Sequence, residues 1–367
     1  MKNASACAAL KSPAALGYRH PAEWEPHEAT WLAWPHNRGD WAGKLSTIPW
    51  AYAEIIRKLT PGERARVLVN SAQHKARATR VLTRADVDLA RVEFLLIPTD
   101  RAWCRDYGPI FLARERPDPG LAIARFRFNA WTRYRAFERD DRVAEEVARR
   151  FKLPIFDASQ RNGRFVLEGG SVDVNGRGTL ITTEQCLLSR GPRARNPGLS
   201  RDETETVLRN TLGVTEIVWL ARGLAGDDTD GHVDNICRFV DARTVVLCRE
   251  AHADDPNYRT LEENRERLEE MRLEDGGRPD LVSLPMPRPL TFGGEWLPAG
   301  YANFYIANAA VLVPTFNDPS DRVALGILGE LIRDRPVIGI HAVDLVLGLG
   351  GIHCLTREQP ALVPLGS

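Results

Sequence analysis

Val337-Ile338-Gly339-Ile340, followed by Leu345-Val346-Leu347-Gly348-Leu349-Gly350-Gly351-Ile352-His353-Cys354, is the stretch around which the chain is organised. An apolar run of this kind reads as buried β-strand leading into Cys354. The glycines just before Cys354 allow a sharp turn and a close approach of backbone to ligand. Cys354 is therefore read as a nucleophile and Gly351 as a candidate substrate contact. A thiolate forms at lower pH than an alkoxide and attacks an electrophilic carbon without a metal. It needs partners. The upstream candidates are Trp103-Cys104-Arg105-Asp106-Tyr107-Gly108-Pro109, Glu168-Gly169-Gly170 and Gly231-His232-Val233-Asp234-Asn235, which supply one imidazole and three carboxylates.

Outward from that stretch, short strands alternate with helices. Strands are expected at 66–70, 92–98, 122–128, 171–174, 179–182, 216–220, 244–249 and 309–314. Asn175-Gly176 suits a tight turn between 171–174 and 179–182. A helix over 49–59 would carry Trp50, Ile55, Ile56 and Leu59 on one side. Val143, Val147 and Phe151, four apart, mark an amphipathic helix ending before Pro154. Ser200 and Glu203 have capping-box spacing and open a helix that stops at Gly213. Further helices fit 261–272 and 321–332. With no long linker between them, these elements favour a single α/β domain over residues 19–367, with residues 1–18 as a loose tail. No internal repeat is evident.

Lysine plus arginine and aspartate plus glutamate both number 49, so there is no global field to attract nucleic acid or an anionic membrane. No apolar stretch approaches the roughly 20 residues of a membrane span, and a cytoplasmic protein is expected. Six cysteines, at 7, 104, 186, 237, 248 and 354, make no disulfide framework or Cys-x-x-Cys zinc pair. Cys186 and Cys248, inside apolar runs, read as core. The early tryptophans 24, 31, 34 and 41 read as core or loop anchors, or as walls of a pocket for a flat or cationic ligand.

In an extended segment His232 and Asp234 would share a face, offering an acid or base and a carboxylate to one substrate. A metal would need further ligands, and the other histidines show no pairing with His232. His353 in a strand would point away from Cys354, into packing or local hydrogen bonding. The Asp227-Asp228-Thr229-Asp230 cluster reads as a solvated turn; its closeness to His232 makes Asp228 or Asp230 a candidate partner for a distant positive group on a substrate. Several carboxylates beside a cysteine suit a planar cation, because a guanidinium presents a fork of donors that matches them.

These motifs, in this order, resemble the agmatine deiminases of the guanidine-modifying (pentein) superfamily, which also holds the bacterial peptidylarginine deiminases. The likeness runs from Pro21-Ala22-Glu23-Trp24-Glu25-Pro26-His27 through the three motifs above, Thr182-Thr183-Glu184-Gln185-Cys186-Leu187-Leu188 and Asn303-Phe304-Tyr305 to Gly351-Ile352-His353-Cys354. It implies a five-bladed α/β propeller of ββαβ units around a central pocket. It also implies hydrolysis of agmatine to N-carbamoylputrescine and ammonia through a covalent thiouronium on Cys354. His232 would protonate the leaving ammonia and deprotonate the water, Asp106 and Asp234 would hold the guanidinium, Glu168 would orient and charge the histidine, and Trp103 would flank the pocket. No cofactor or metal is implied, and a homodimer is. The alternatives are deimination of free or peptide-terminal arginine, amidino transfer, and non-catalytic binding of a guanidino compound. The basic segment Ser189-Arg190-Gly191-Pro192-Arg193-Ala194-Arg195 departs from the family pattern, as does glycine at 351 in place of asparagine.

Overall fold

The structure is a computed structural model that describes residues 12–362 except Ala42, Pro117, Arg161 and Asn162. Five of the seven sheets among the described residues repeat one plan. In each, a central strand pairs antiparallel with one neighbour and parallel with the other, and a helix leads from the central strand to the parallel one. The strands Ile110–Arg114, Gly120–Arg125 and Ile155–Asp157 form one such unit, with the helix Val143–Phe151. Val172–Val174, Thr179–Thr183 and Glu216–Leu220 form the next, with Arg201–Leu212. Cys237–Phe239, Thr244–Arg249 and Asp280–Pro285 follow, with Tyr258–Glu270. Tyr305–Ile306, Val311–Thr315 and Val337–His341 come next, with Pro319–Leu331.

A further sheet joins the two ends of the fold. Arg357–Pro360 runs antiparallel to His27–Ala33, which is parallel to Arg64–Val69 across the helix Ile48–Leu59; Val92–Leu96 adds a parallel edge strand. The chain is thus α/β with the ββαβ unit used five times, a repeat that no sequence similarity between the units reveals. The physical reason is that the plan needs only strand alternation, a crossover helix and turns, which many side-chain sets satisfy.

Local chemistry explains the elements. Ser200 accepts from the Glu203 amide while Glu203 accepts from the Ser200 amide, and Gly213 closes that helix in the left-handed region at φ 70°. Asn175 Oδ1 accepts from the amides of Arg177, Gly178 and Thr179, so the hairpin turn is wider than a two-residue connection. Trp31, Trp34 and Trp41 are core residues, whereas Trp50, expected on the apolar side of its helix, is 48% exposed. The loose tail was drawn too long: residues 12–18 contain a helical turn, Ala14–Leu16, and bury Tyr18 against Phe156. Residues 1–11, with Cys7, lie outside the described residues. The five described cysteines are free and buried, and among described residues no helix is long and apolar enough to cross a membrane.

Candidate active site

The segment just ahead of the first strand of each unit carries a site residue. Asp106 lies in the turn Cys104–Tyr107, Glu168 precedes the turn Gly169–Ser171, and His232 and Asp234 flank and enter the turn Val233–Asn235. Asn303 stands before Tyr305, and Cys354 lies in the turn Ile352–Leu355. Two expectations change here. Cys354 is in a helical turn, Ile352–Leu355, not on a strand: the strand ends at His341 and the chain turns helical at Val343–Val346, ahead of the glycines. The His232–Asp234 segment is a 3₁₀ turn, not extended, and both side chains nonetheless reach the same point beside Gly170.

Cys354 Sγ lies 3.7 Å from Asp234 Oδ2 and accepts a hydrogen bond from Asn303 Nδ2 at 3.2 Å. His232 Nδ1 is 3.6 Å from Asp106 Oδ1, and its Nε2 is 3.8 Å from Glu168 Oε2. Both ring nitrogens, Glu168 Oε2 and Asp234 Oδ1 are buried with no hydrogen-bond partner among the described residues. Gly170 makes this convergence possible: a Cβ there would sit 2.7 Å from His232 Nδ1 and 2.9 Å from carboxylate oxygens of both Asp106 and Asp234. Its amide also donates to Asp106 Oδ1 at 3.1 Å.

Charge separates the groups. Burial alone would lower the His232 pKa, but Asp106, Cys186 and Glu168 outweigh it and hold the ring protonated well above its usual range. Burial raises Asp106 to about 6, with Asp234 and Glu168 adding to the rise and His232 opposing it. Burial would also raise Glu168, yet Arg195 and His232 bring it down to about 2. For Asp234 the desolvation penalty is overcome by His353, His232 and Arg238, and its pKa is lowered. The Cys354 thiol is pushed well up by burial, Asp234 and Asp106.

A cavity of about 550 Å³ opens onto Cys354 and Asp106. Trp103 and Trp131 wall it, and Trp131 Nε1 donates to Asp106 Oδ2 at 3.0 Å. Ala130, Trp131 and Thr132 are all left-handed, at φ 52°, 55° and 56°, a costly backbone of the kind held at functional sites. Asp40, Arg101, Tyr134 and Asp228 line the same cavity. Arg101 Nη1 donates to Asp40 Oδ1 at 2.5 Å, and the Tyr134 hydroxyl donates to Asp228 Oδ2 at 2.8 Å.

Of the predicted site residues, Cys354, Asp106, Trp103 and Asp228 line this cavity, and His232, Asp234 and Glu168 pack behind or beside it. Two do not belong to its wall. Asp230 is drawn away by ion pairs with Arg195 and Arg193, each at 3.1 Å. Gly351 packs against Asn303, and Gly348 and Gly350 line the cavity in its place. Sequence reasoning missed Asp40, Arg101, Trp131 and Tyr134, which no motif marks, and gave no role to Asn303 although its motif was visible. Cys186 is buried as expected, but beside His232: its sulfur, a His232 nitrogen and a Glu168 oxygen lie within 4.8 Å of one another. These could ligate a metal only against the charge of Arg195, whose Nε is 3.0 Å from Glu168. His353 bridges Asp234 at 2.7 Å and Glu23 at 2.8 Å, a distant connection where a local one was expected.

Residues 19–360 match the family model described as Porphyromonas-type peptidyl-arginine deiminase. A protein of Pseudomonas aeruginosa named agmatine deiminase is 36% identical over 95% of this chain and 97% of its own. The solved agmatine deiminase of Enterococcus faecalis superposes with a TM-score of 0.87 at 29% identity, covering 96% of this chain and 98% of that one. A Porphyromonas gingivalis structure, named as a candidate arginine deiminase, gives 0.83 at 37% identity over 94% and 98%.

Proposed function

The chain belongs to the Porphyromonas-type peptidyl-arginine deiminase family, and from that premise we propose that it is an agmatine deiminase, a hydrolase acting on the C–N bonds of a linear amidine. The observation that carries the reading is the meeting of Cys354, Asp234, Asp106 and His232 around one cavity that two more acids, Asp40 and Asp228, also line. Asp106 and Asp234 would accept the guanidinium N–H groups, placing its carbon before Cys354 Sγ. The bound cation offsets the carboxylates that oppose a thiolate, so Cys354 gives up its proton to solvent as the substrate binds. The sulfur then attacks the carbon, His232 gives its proton to the departing nitrogen, and ammonia leaves a thiouronium on Cys354. Water, deprotonated by the now neutral His232, adds to that carbon; the C–S bond breaks as the added hydroxyl's proton passes to the departing sulfur, releasing the neutral ureido product and restoring the Cys354 thiol and protonated His232.

The tail end of the cavity favours agmatine over arginine. Burial raises Asp228 above the usual carboxylate range, and an ammonium would relieve it. Arg101 lines the cavity and could meet a carboxylate, which is the observation behind the arginine reading. It is, however, already paired with Asp40. We further take the five sheets to close as a five-bladed propeller around this pocket, in one catalytic domain that is cytoplasmic, cofactor-free and homodimeric.

The test is ammonia release by purified protein given agmatine, free arginine and an arginine peptide separately, with chelator and no amine acceptor. Agmatine-dependent ammonia with equal ureido product is expected. Reaction of arginine alone would transfer the site to the alternative substrate, and dependence on an added amine would make the protein an amidinotransferase.

A further inference from the structure

Arg195 takes no direct part in the chemistry just described, yet its side chain is completely buried beside it. Its Nε donates to Glu168 Oε1 at 3.0 Å, on the carboxylate whose other oxygen faces His232. Nη1 donates to Asp230 Oδ2 at 3.1 Å and Nη2 to the Thr229 carbonyl at 2.6 Å. One rigid guanidinium therefore fastens two different things: the carboxylate that faces the histidine, and the loop that carries Asp228 and leads into His232. Asp230 in that loop is held left-handed, at φ 62°, a conformation that costs a non-glycine residue energy and persists only where surroundings impose it. The next residue, Asn196, anchors this stretch of chain, its side chain bonding both the amide and the carbonyl of Val166 at 2.9 Å.

We propose that Arg195 is the positioning residue of the histidine and of the substrate-tail loop, coupling the two through Glu168 on one edge of its guanidinium and Thr229–Asp230 on the other. The inference rests on the deiminase reading for its catalytic consequence, though not for its electrostatic one. A lysine could keep the charge near Glu168 but cannot present the fork that reaches three partners in fixed directions. Charge and fork are therefore separable by substitution.

In Arg195→Gln the charge beside Glu168 is gone, so a carboxyl buried at that depth takes up a proton at higher pH. The acid limb of kcat/KM, which Asp106 sets in the wild type, should move to higher pH as a second carboxyl titrates with it, and kcat should fall about 10- to 100-fold, as for loss of a group that orients a working ligand or base. Arg195→Lys should keep the wild-type limb and lose mainly KM for agmatine. A uniform loss in both variants with no movement of the limb would make Arg195 merely structural and overturn the proposal. The Glu168 carboxyl is followed in parallel by ¹³C NMR of glutamate-labelled protein, assigned with Glu168→Gln. It should stay ionised in wild type and Arg195→Lys throughout the folded pH range and titrate within that range in Arg195→Gln. Unchanged titration also overturns the proposal. Because this readout needs no turnover, a wild type without deiminase activity but with the expected titration would refute the function and leave the positioning role standing. If Arg195→Gln does not fold, Arg195→Lys decides: an unchanged KM would sink the coupling.

Discussion

Asp234 Oδ2 stands 3.7 Å from Cys354 Sγ, so the carboxylate that would hold a guanidinium also opposes the thiolate that must attack it. Together with burial and Asp106 it keeps the free cysteine a thiol. Neutral iodoacetamide should therefore alkylate Cys354 slowly at pH 7.5, and faster as pH rises. A cationic haloacetamidine, which supplies the missing charge, should outpace it by about tenfold or more, since one pKa unit corresponds to about 1.4 kcal/mol. In Asp234→Asn this preference should shrink; equal rates for both reagents in the wild type would argue that the thiolate forms without substrate.

Cys354→Ala should release no ammonia from agmatine while its thermal midpoint stays within a few degrees of wild type, because only a small buried group is lost. Measurable steady turnover in that variant would remove Cys354 as nucleophile.

Asp106, raised to about 6, must be ionised to hold a guanidinium. The rate constant kcat/KM should rise as pH climbs through about 6. Agmatine binding below that pH should release a proton, visible by calorimetry in buffers of different ionisation enthalpy. For stability the sign is reversed. The folded chain keeps the Asp106 proton above the unfolded pKa of about 4, so this residue's contribution falls as pH rises from about 4 to about 6. Glu168, lowered to about 2, adds stability that is present above about 4 and is lost as pH falls towards about 2. Chemical-denaturation series on Asp106→Asn and Glu168→Gln across pH 3–7 separate the two.

Asp228→Asn preserves the acceptor for Tyr134 but removes a charge from the tail end of the cavity. KM for agmatine should rise about tenfold, in the range of a charge-assisted hydrogen bond, with little change for an alkylguanidine that lacks the amine. An equal effect on both substrates would place Asp228 outside the tail subsite.

His353→Phe leaves Asp234 and Glu23 each short of a buried partner. Stability should drop by about 1–3 kcal/mol per orphaned group, and kcat should fall with it because Asp234 loses its anchor. Retention of both would mean that Arg238 and Arg105, which also pair with Glu23, suffice for this network.

Most of the regular elements are legible along the chain. The strand 216–220 and the capped helix ending at Gly213 follow from β-branched runs and from a capping box, both local signals. The strand Ile110–Arg114 and the helix Ala72–Arg84 are not legible in the same way. The first follows Gly108-Pro109, which reads as loop, and the second buries only Ala78 and Leu82, too thin a stripe for periodicity to find.

By itself the sequence determined the chemistry available: one nucleophile after a glycine run, one histidine, a set of carboxylates, and motifs whose order resembles a single family. Tertiary structure alone decided which of these meet. The site residues precede the first strands of five separate units, so their distances depend on how the sheets pack and not on spacing along the chain. That packing brought Asp40 and Tyr134 to the cavity, turned Asp230 away into the arginines, and buried Arg195 between the Glu168 carboxylate and a loop. Side chains far apart in sequence carry no local signal of their contact; only the folded arrangement, where burial strengthens each charge interaction, assigns them partners.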